Sequence, residues 1–121
     1  MLSIGIIVGL LLILFSRYFI RVPKINPPIS SHNIISPAFG QIIRVEKTDK
    51  YVHFCIFLGL LDPHIQYIPY DGILTKTIHK QGEFNRAYII EKSNHNERME
   101  HTIKTKLGNI YVIQIAGMLA R

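Results

Sequence analysis

The apolar positions of this chain form one long unbroken block followed by many short ones. Residues 2–16 carry no charged side chain, and the run from Ile4 to Phe15 is almost purely aliphatic. As a helix, residues 2–16 rise roughly 23 Å at ~1.5 Å per residue, short of a hydrocarbon core of about 30 Å, and continuation to Ile20 brings the rise to roughly 28 Å. Arg17 then snorkels its guanidinium to the headgroups while Tyr18 and Phe19 sit in the interface. The pattern predicts one transmembrane anchor helix over residues 1–21. Arg17, Arg21 and Lys24 follow it, so the positive-inside tendency makes the chain a single-pass membrane protein with its main domain in the cytoplasm. A cleaved signal peptide fits less well, because nothing basic precedes the apolar run and no small-residue pair marks a cleavage site. A buried core helix is the other alternative.

Beyond the block the pattern changes. Pro23, Asn26, Pro27, Pro28, Ser30, Ser31 and Asn33 leave no room for a regular element, which predicts an extended Pro-rich linker over residues 22–35. Short runs of β-branched and aromatic residues then recur at 41–46, 51–58, 73–78, 87–90, 99–106 and 110–116, and each reads as a strand. Thr48-Asp49-Lys50, Asp71-Gly72, Lys80-Gln81-Gly82 and Leu107-Gly108-Asn109 read as the turns between them. No helical pattern of useful length follows the anchor. The predicted fold class is all-β: a small domain of short strands over residues 36–121, behind one N-terminal transmembrane helix. The last strand runs into Gly117–Arg121 without a polar tail, which reads as a chain cut before its fold is complete, with a terminus packed on the sheet as the alternative.

Composition narrows the function classes only a little. Fourteen Lys and Arg against eight Asp and Glu give a net charge of +6 with His neutral. The excess is scattered, and no basic cluster with interleaved aromatics, zinc-finger spacing or Arg-rich helix appears, so nucleic acid is not an expected partner. Modest basicity suits a chain held near anionic headgroups, and a phospholipid membrane is the expected partner. The single cysteine, Cys55, lies in an apolar run and reads as a reduced core residue. Six His are present without His-Glu-x-x-His, paired cysteines or an acidic triplet, so no metal site is expected. Asp62-Pro63-His64 places an acid and an imidazole two apart on the loop after the most apolar strand. From these residues alone a capped loop with a surface His outweighs a general acid or base.

Five segments in order carry a family resemblance. Ser36-Pro37-Ala38-Phe39-Gly40 resembles the Ser-Pro-Ala-Asp-Gly signature of the phosphatidylserine decarboxylases. The stretch from Ile56 to Gly72, with Asp62-Pro63-His64 and Pro69, looks like that family's Asp-x-His segment and Pro-x-x-Gly turn. Gly82-Glu83-Phe84 with Ala87 resembles its Gly-x-Phe-x-x-Ala step. Asn96-Glu97-Arg98 matches its Asn-Glu-Arg triplet, and Gln114 to Arg121 matches its Gln-Ile-Ala-Gly-x-x-Ala-Arg run. The likeness is closest to the short form of the family.

The resemblance implies a pyruvoyl-dependent lyase that makes phosphatidylethanolamine from phosphatidylserine. In the intact family an Asp-His pair activates the Ser of a Gly-Ser motif, the proenzyme breaks there, and the resulting pyruvoyl group serves as electron sink when carbon dioxide leaves. By that resemblance His64 is the family-equivalent catalytic histidine, and Asn96, Glu97 and Arg98 are candidate headgroup-binding residues. Two departures stand beside the matches. Phe39 replaces the family acid and can neither hold a histidine tautomer nor stabilise an imidazolium. No Ser follows Ser93, so this chain supplies no pyruvoyl cofactor.

The expected function is a decarboxylase-related protein of phospholipid biosynthesis, inactive as this chain alone. It takes one of three forms: a fragment, an inactive homologue, or one partner of a separately encoded C-terminal part carrying Gly-Ser. The alternative is a membrane-tethered β module that binds anionic phospholipid headgroups or scaffolds another protein.

Overall fold

A computed structural model describes residues 2–28 and 32–121. The chain folds into two compact units, the first formed by residues 2–28 with 38–67 and the second by residues 32–37 with 68–121.

The first unit begins with helix α1, Leu2–Phe19. Its last turn is closed by Ile20 N–H donating to the Ser16 carbonyl at 3.1 Å. The helix stops there because Arg21 folds back. One guanidinium N–H donates to the Tyr18 carbonyl at 2.8 Å and another to the Leu61 carbonyl at 2.9 Å, while the guanidinium carbon lies 3.8 Å from the Tyr18 ring centre. The expected continuation to residue 21 therefore does not occur. Eighteen residues rise about 27 Å, and among the described residues no helix is long and apolar enough to cross a membrane. This corrects the transmembrane helix expected from the sequence. The single-pass membrane placement with a cytoplasmic domain rested on that span and falls with it.

After the helix come β1, Gln41–Lys47, and β2, Val52–Phe57, paired antiparallel from Gln41↔Phe57 to Lys47↔Val52 with an irregularity between Ile42 and Arg44. The hairpin is legible in its turn. The Thr48 hydroxyl accepts from the N–H groups of Lys50 and Tyr51 at 3.3 and 3.1 Å, and Thr48 N–H donates to the Tyr51 carbonyl at 2.9 Å. Gly40, at the entry to β1, has φ +153°, and a Cβ there would overlap the Phe57 carbonyl, so only glycine lets the chain pass this close to β2.

The second unit is a three-stranded antiparallel sheet in the order β3-β4-β5, with β3 Ile73–Lys80, β4 Arg98–Thr105 and β5 Gly108–Ile115. β4 and β5 join through Lys106 and Leu107, with Thr105 opposite Gly108. The pairing puts Thr77, His101 and Val112 side by side, and hydrogen bonds cross the sheet from the Thr77 hydroxyl to His101 Nδ1 (3.1 Å) and from His101 Nε2 to Gln114 Oε1 (3.0 Å).

The strand expected at 87–90 is not formed. Its end enters a single helical turn, α2, Ile90–Ser93. Ser93 N–H donates to the Ile89 carbonyl at 2.9 Å and its hydroxyl to the Ile90 carbonyl at 2.9 Å, so the local backbone bonds are satisfied inside the turn rather than across a sheet. The architecture is therefore mostly β, with five strands and two helices among the described residues.

Little of this apolar surface is covered. Among the described residues the buried apolar side chains are Ile103, on the central strand, Tyr70, and the proline rings of Pro63 and Pro69. Val45 and Phe54 of the hairpin are each 55% exposed, and Leu74 and Tyr111 of the second sheet are 57% and 55% exposed. A sheet of this composition normally buries one face against a second layer.

Candidate functional site

His64 sits on the loop that leaves β2. The loop is closed by Asp62, whose carboxylate accepts from Gly59 N–H at 2.8 Å while its own N–H donates to the Gly59 carbonyl at 3.1 Å. Pro63 is buried, and the His64 ring stacks on Phe19 of α1 with ring centres 4.0 Å apart and planes 23° from parallel. Nδ1 lies 2.8 Å from the Asp62 carbonyl oxygen. A carbonyl only accepts, so this contact places the proton on Nδ1 and leaves Nε2 with its lone pair. Nε2 has no hydrogen-bond partner among the described residues. The half-buried imidazole is thus oriented, with a basic nitrogen free to take a proton.

The tautomer is held by a backbone carbonyl and not by a carboxylate. The Asp62 carboxylate is occupied in its own turn, and Phe39 places its ring edge-on to Tyr67, with centres 6.2 Å apart. A neutral carbonyl fixes which nitrogen carries the proton but provides less stabilisation to an imidazolium than a full negative charge does. Tyr67, two residues before Pro69, donates to the Pro23 carbonyl at 3.5 Å.

Asn96, Glu97 and Arg98 belong to the second unit, whereas His64 belongs to the first. Asn96 is 2% exposed. Its amide donates to the carbonyls of Asn85 (2.8 Å) and Ala116 (2.7 Å), and its carbonyl oxygen accepts from Asn85 N–H at 2.9 Å. Backbone bonds run alongside: Glu83 N–H to the His95 carbonyl, Glu97 N–H to the Glu83 carbonyl and Ala116 N–H to the Glu97 carbonyl, each 2.9 Å. The side chain is consumed in tying three segments together.

Glu97 accepts from His79 Nε2 at 2.7 Å. Arg98 donates from Nε to Glu100 at 2.9 Å and from Nη1 to the Asn94 carbonyl at 2.9 Å. Glu100 also receives Lys80 Nζ at 2.9 Å. The hydrogen bond from Lys80, with its charge and then that of Arg98, holds the Glu100 carboxyl below the ordinary glutamate range. Sequence reasoning reached Asn96, Glu97 and Arg98 as a triplet but missed their partners Asn85, His79 and Glu100, and it missed Phe19 beneath His64. The only available signal was that Gly82-Glu83-Phe84 and the Gln114 run recur in the same resemblance as the triplet.

Forming a pyruvoyl group requires a serine whose hydroxyl can attack the carbonyl of a preceding glycine. No Gly-Ser dipeptide occurs in the chain. Ser93 is buried with its hydroxyl donated to Ile90, and the Ser16 hydroxyl donates to the Leu12 carbonyl at 2.8 Å within α1. The residues present do not fit the formation of that group.

The family model described as phosphatidylserine decarboxylase matches residues 12–121. Among curated proteins, the chain is 33% identical over 125 aligned positions to a phosphatidylserine decarboxylase proenzyme of Porphyromonas gingivalis, covering 95% of this chain and 57% of that protein. It is 31% identical to the proenzyme of Chlorobium limicola, covering 97% and 58%, and 34% identical to that of Rhodococcus jostii, covering 85% and 48%. The chain therefore spans about half the length of the relatives it matches, from 48% to 58% of those three.

Proposed function

We propose, for a chain that belongs to the phosphatidylserine decarboxylase family, that it is the histidine-bearing portion of a decarboxylase and turns over no lipid until a serine-bearing portion completes it. Its family places it in phospholipid metabolism. The observation that carries the finer reading is the pairing of an oriented imidazole with the absence of any serine it could act on: His64 Nε2 is free and its tautomer is set, yet no Gly-Ser exists in the sequence. The exposed apolar face of the β1–β2 hairpin, in the same unit as His64, would give the completing portion a surface to dock on. His64 then takes the proton from the incoming serine hydroxyl, and the Asp62 carbonyl keeps its ring turned for that transfer. With Phe39 in place of an acid, the imidazolium so formed has a weak counter-charge, and the completed protein processes itself slowly. Phosphatidylserine is the expected lipid partner.

The test is an assay of purified residues 1–121 for carbon dioxide release from phosphatidylserine, alone and after co-expression with a Gly-Ser-bearing C-terminal portion from a relative. The chain alone releases none. Turnover by the chain alone, or a bound keto group found on it by mass spectrometry, would overturn the reading.

A further inference from the structure

The second unit carries a cavity of about 300 Å³ lined by Phe84, Asn85, Arg86, Ile89, Lys92 and Met118. Phe84, Ile89 and Met118 give it an apolar wall. Its two charged residues are both cations, and neither is neutralised: Arg86 donates from Nη1 to the uncharged Tyr88 hydroxyl at 3.0 Å, and no ion pair reaches Arg86 or Lys92 among the described residues. A third cation, Arg121, holds its guanidinium 4.6 Å from the Phe84 ring centre. The acid that touches a lining residue is Glu83, which accepts from the Asn85 amide at 2.6 Å. That contact, with a second from the same amide to the Lys92 carbonyl at 3.4 Å, spends the amide's N–H donors.

Polar recognition in the cavity therefore falls to two uncompensated cations beside an apolar wall. We propose that this cavity binds the phosphate group of a small amphiphile, with Arg86 and Lys92 on the phosphate oxygens and the apolar body against Phe84, Ile89 and Met118. A guanidinium pairs with two phosphate oxygens at once and an ammonium adds a point charge. The volume lies at the small end for ligand cavities and suits a glycerophosphate-sized group. A phospholipid headgroup and a soluble phosphate ester share this chemistry. The proposal deepens the family reading by placing a headgroup site, and it involves neither His64 nor a missing serine.

The test is phosphorus NMR of the full chain with monomeric dihexanoylphosphatidylserine, glycerol 3-phosphate and inorganic phosphate. Line broadening is expected, and Arg86→Ala with Lys92→Ala should weaken binding by about tenfold or more, the loss expected when charge-assisted hydrogen bonds go. The matched charge change Lys47→Ala with Lys50→Ala, on the β1–β2 hairpin, should leave it unchanged. Tighter binding of the lipid assigns a headgroup, and equal or tighter binding of the soluble phosphates assigns a free ester. No binding of any probe, an unaffected double variant, or equal loss in the hairpin control overturns the site. Arg86 and Lys92 are exposed, and the single variants Arg86→Gln and Lys92→Gln give the same reading if the double variant does not fold. No decarboxylation is measured, so failure here leaves the family reading standing, and the reverse holds.

Discussion

Asn96→Ala tests whether the Asn-Glu-Arg triplet serves the fold. The substitution removes a 2%-exposed amide and strands three backbone groups: Asn85 N–H, the Asn85 carbonyl and the Ala116 carbonyl. Each buried group left without a partner costs about 1–3 kcal/mol. Asn85 and Ala116 are half-buried, so water can reach them in part, and the low end applies, giving a total of about 3 kcal/mol. For a unit of this size that is a fall in Tm of about 10–20 °C. Thermal unfolding followed by circular dichroism reads the shift, and hydrogen exchange at the Glu83, Asn85 and Glu97 amides reads its location.

Asn96→Asp refines the argument. It keeps the shape and the bond from Asn85 N–H but turns a donor into a second acceptor facing two carbonyls. Burial and those carbonyls raise the new carboxyl above the ordinary aspartate range, so the folded form binds its proton more tightly than the unfolded chain does. The deficit against the parent should be small near pH 4 and grow toward neutrality. Asn96→Ala melting within ~2 °C of the parent, with those amides still slow to exchange, would refute the structural assignment.

Gly82→Ala should destabilise the same knot by about 1–3 kcal/mol, because its Cβ would stand 2.5 Å from the His95 carbonyl oxygen, whereas Gly117→Ala meets Ala87 Cβ at 3.5 Å and the Ala120 carbonyl oxygen at 4.0 Å, ordinary contacts, and should be tolerated; urea midpoints compare the two. The Glu100 carboxyl, held low by Lys80, contributes stability that is present above the ordinary glutamate range and fades as pH falls through its lowered value, so Glu100→Gln should flatten the acid limb of stability against pH, and high salt should shrink the effect. Phe19→Leu should move the His64 ring protons downfield in NMR spectra as the stacked ring's shielding is lost, with no change in the β1–β2 amides; unmoved ring protons would mean that the stack does not hold the imidazole.

What could be read in advance followed local chemistry. The β1–β2 hairpin was legible because β-branched residues flank Thr48-Asp49-Lys50, whose side-chain oxygen closes the turn locally. The edges of β3, β4 and β5 fell within a residue or two of expectation for the same reason. Ala87-Tyr88-Ile89-Ile90 misled because four apolar residues carry no period, and the turn bonds through Ser93 decided the matter. The helix end misled because Arg21 has a choice between headgroups and protein carbonyls. Hydropathy could not show that the Tyr18 and Leu61 carbonyls lay within its reach. Asn96 was visible as a motif letter, but its job depends on Asn85 and Ala116, which only the folded chain brings beside it.

The motifs that identify the family thus divide by physical role. Gly82-Glu83, Asn96-Glu97 and Ala116 meet in one hydrogen-bonded knot, where glycine is required by contact with backbone and asparagine by three backbone partners. Losing any of these residues costs stability whether or not the chain performs chemistry. His64 is different: Asp62 closes the turn through its own carboxylate and N–H, and the imidazole adds only a bond to the Asp62 carbonyl and a stack on Phe19. Under the proposed reading, its fixed tautomer and its Nε2, which makes no hydrogen bond among the described residues, serve a proton transfer. That contrast predicts that His64→Gln should leave the melting temperature nearly unchanged while abolishing self-processing in a completed protein. An equal loss of both would place His64 with the structural residues and remove the remaining support for catalysis from this portion of the chain.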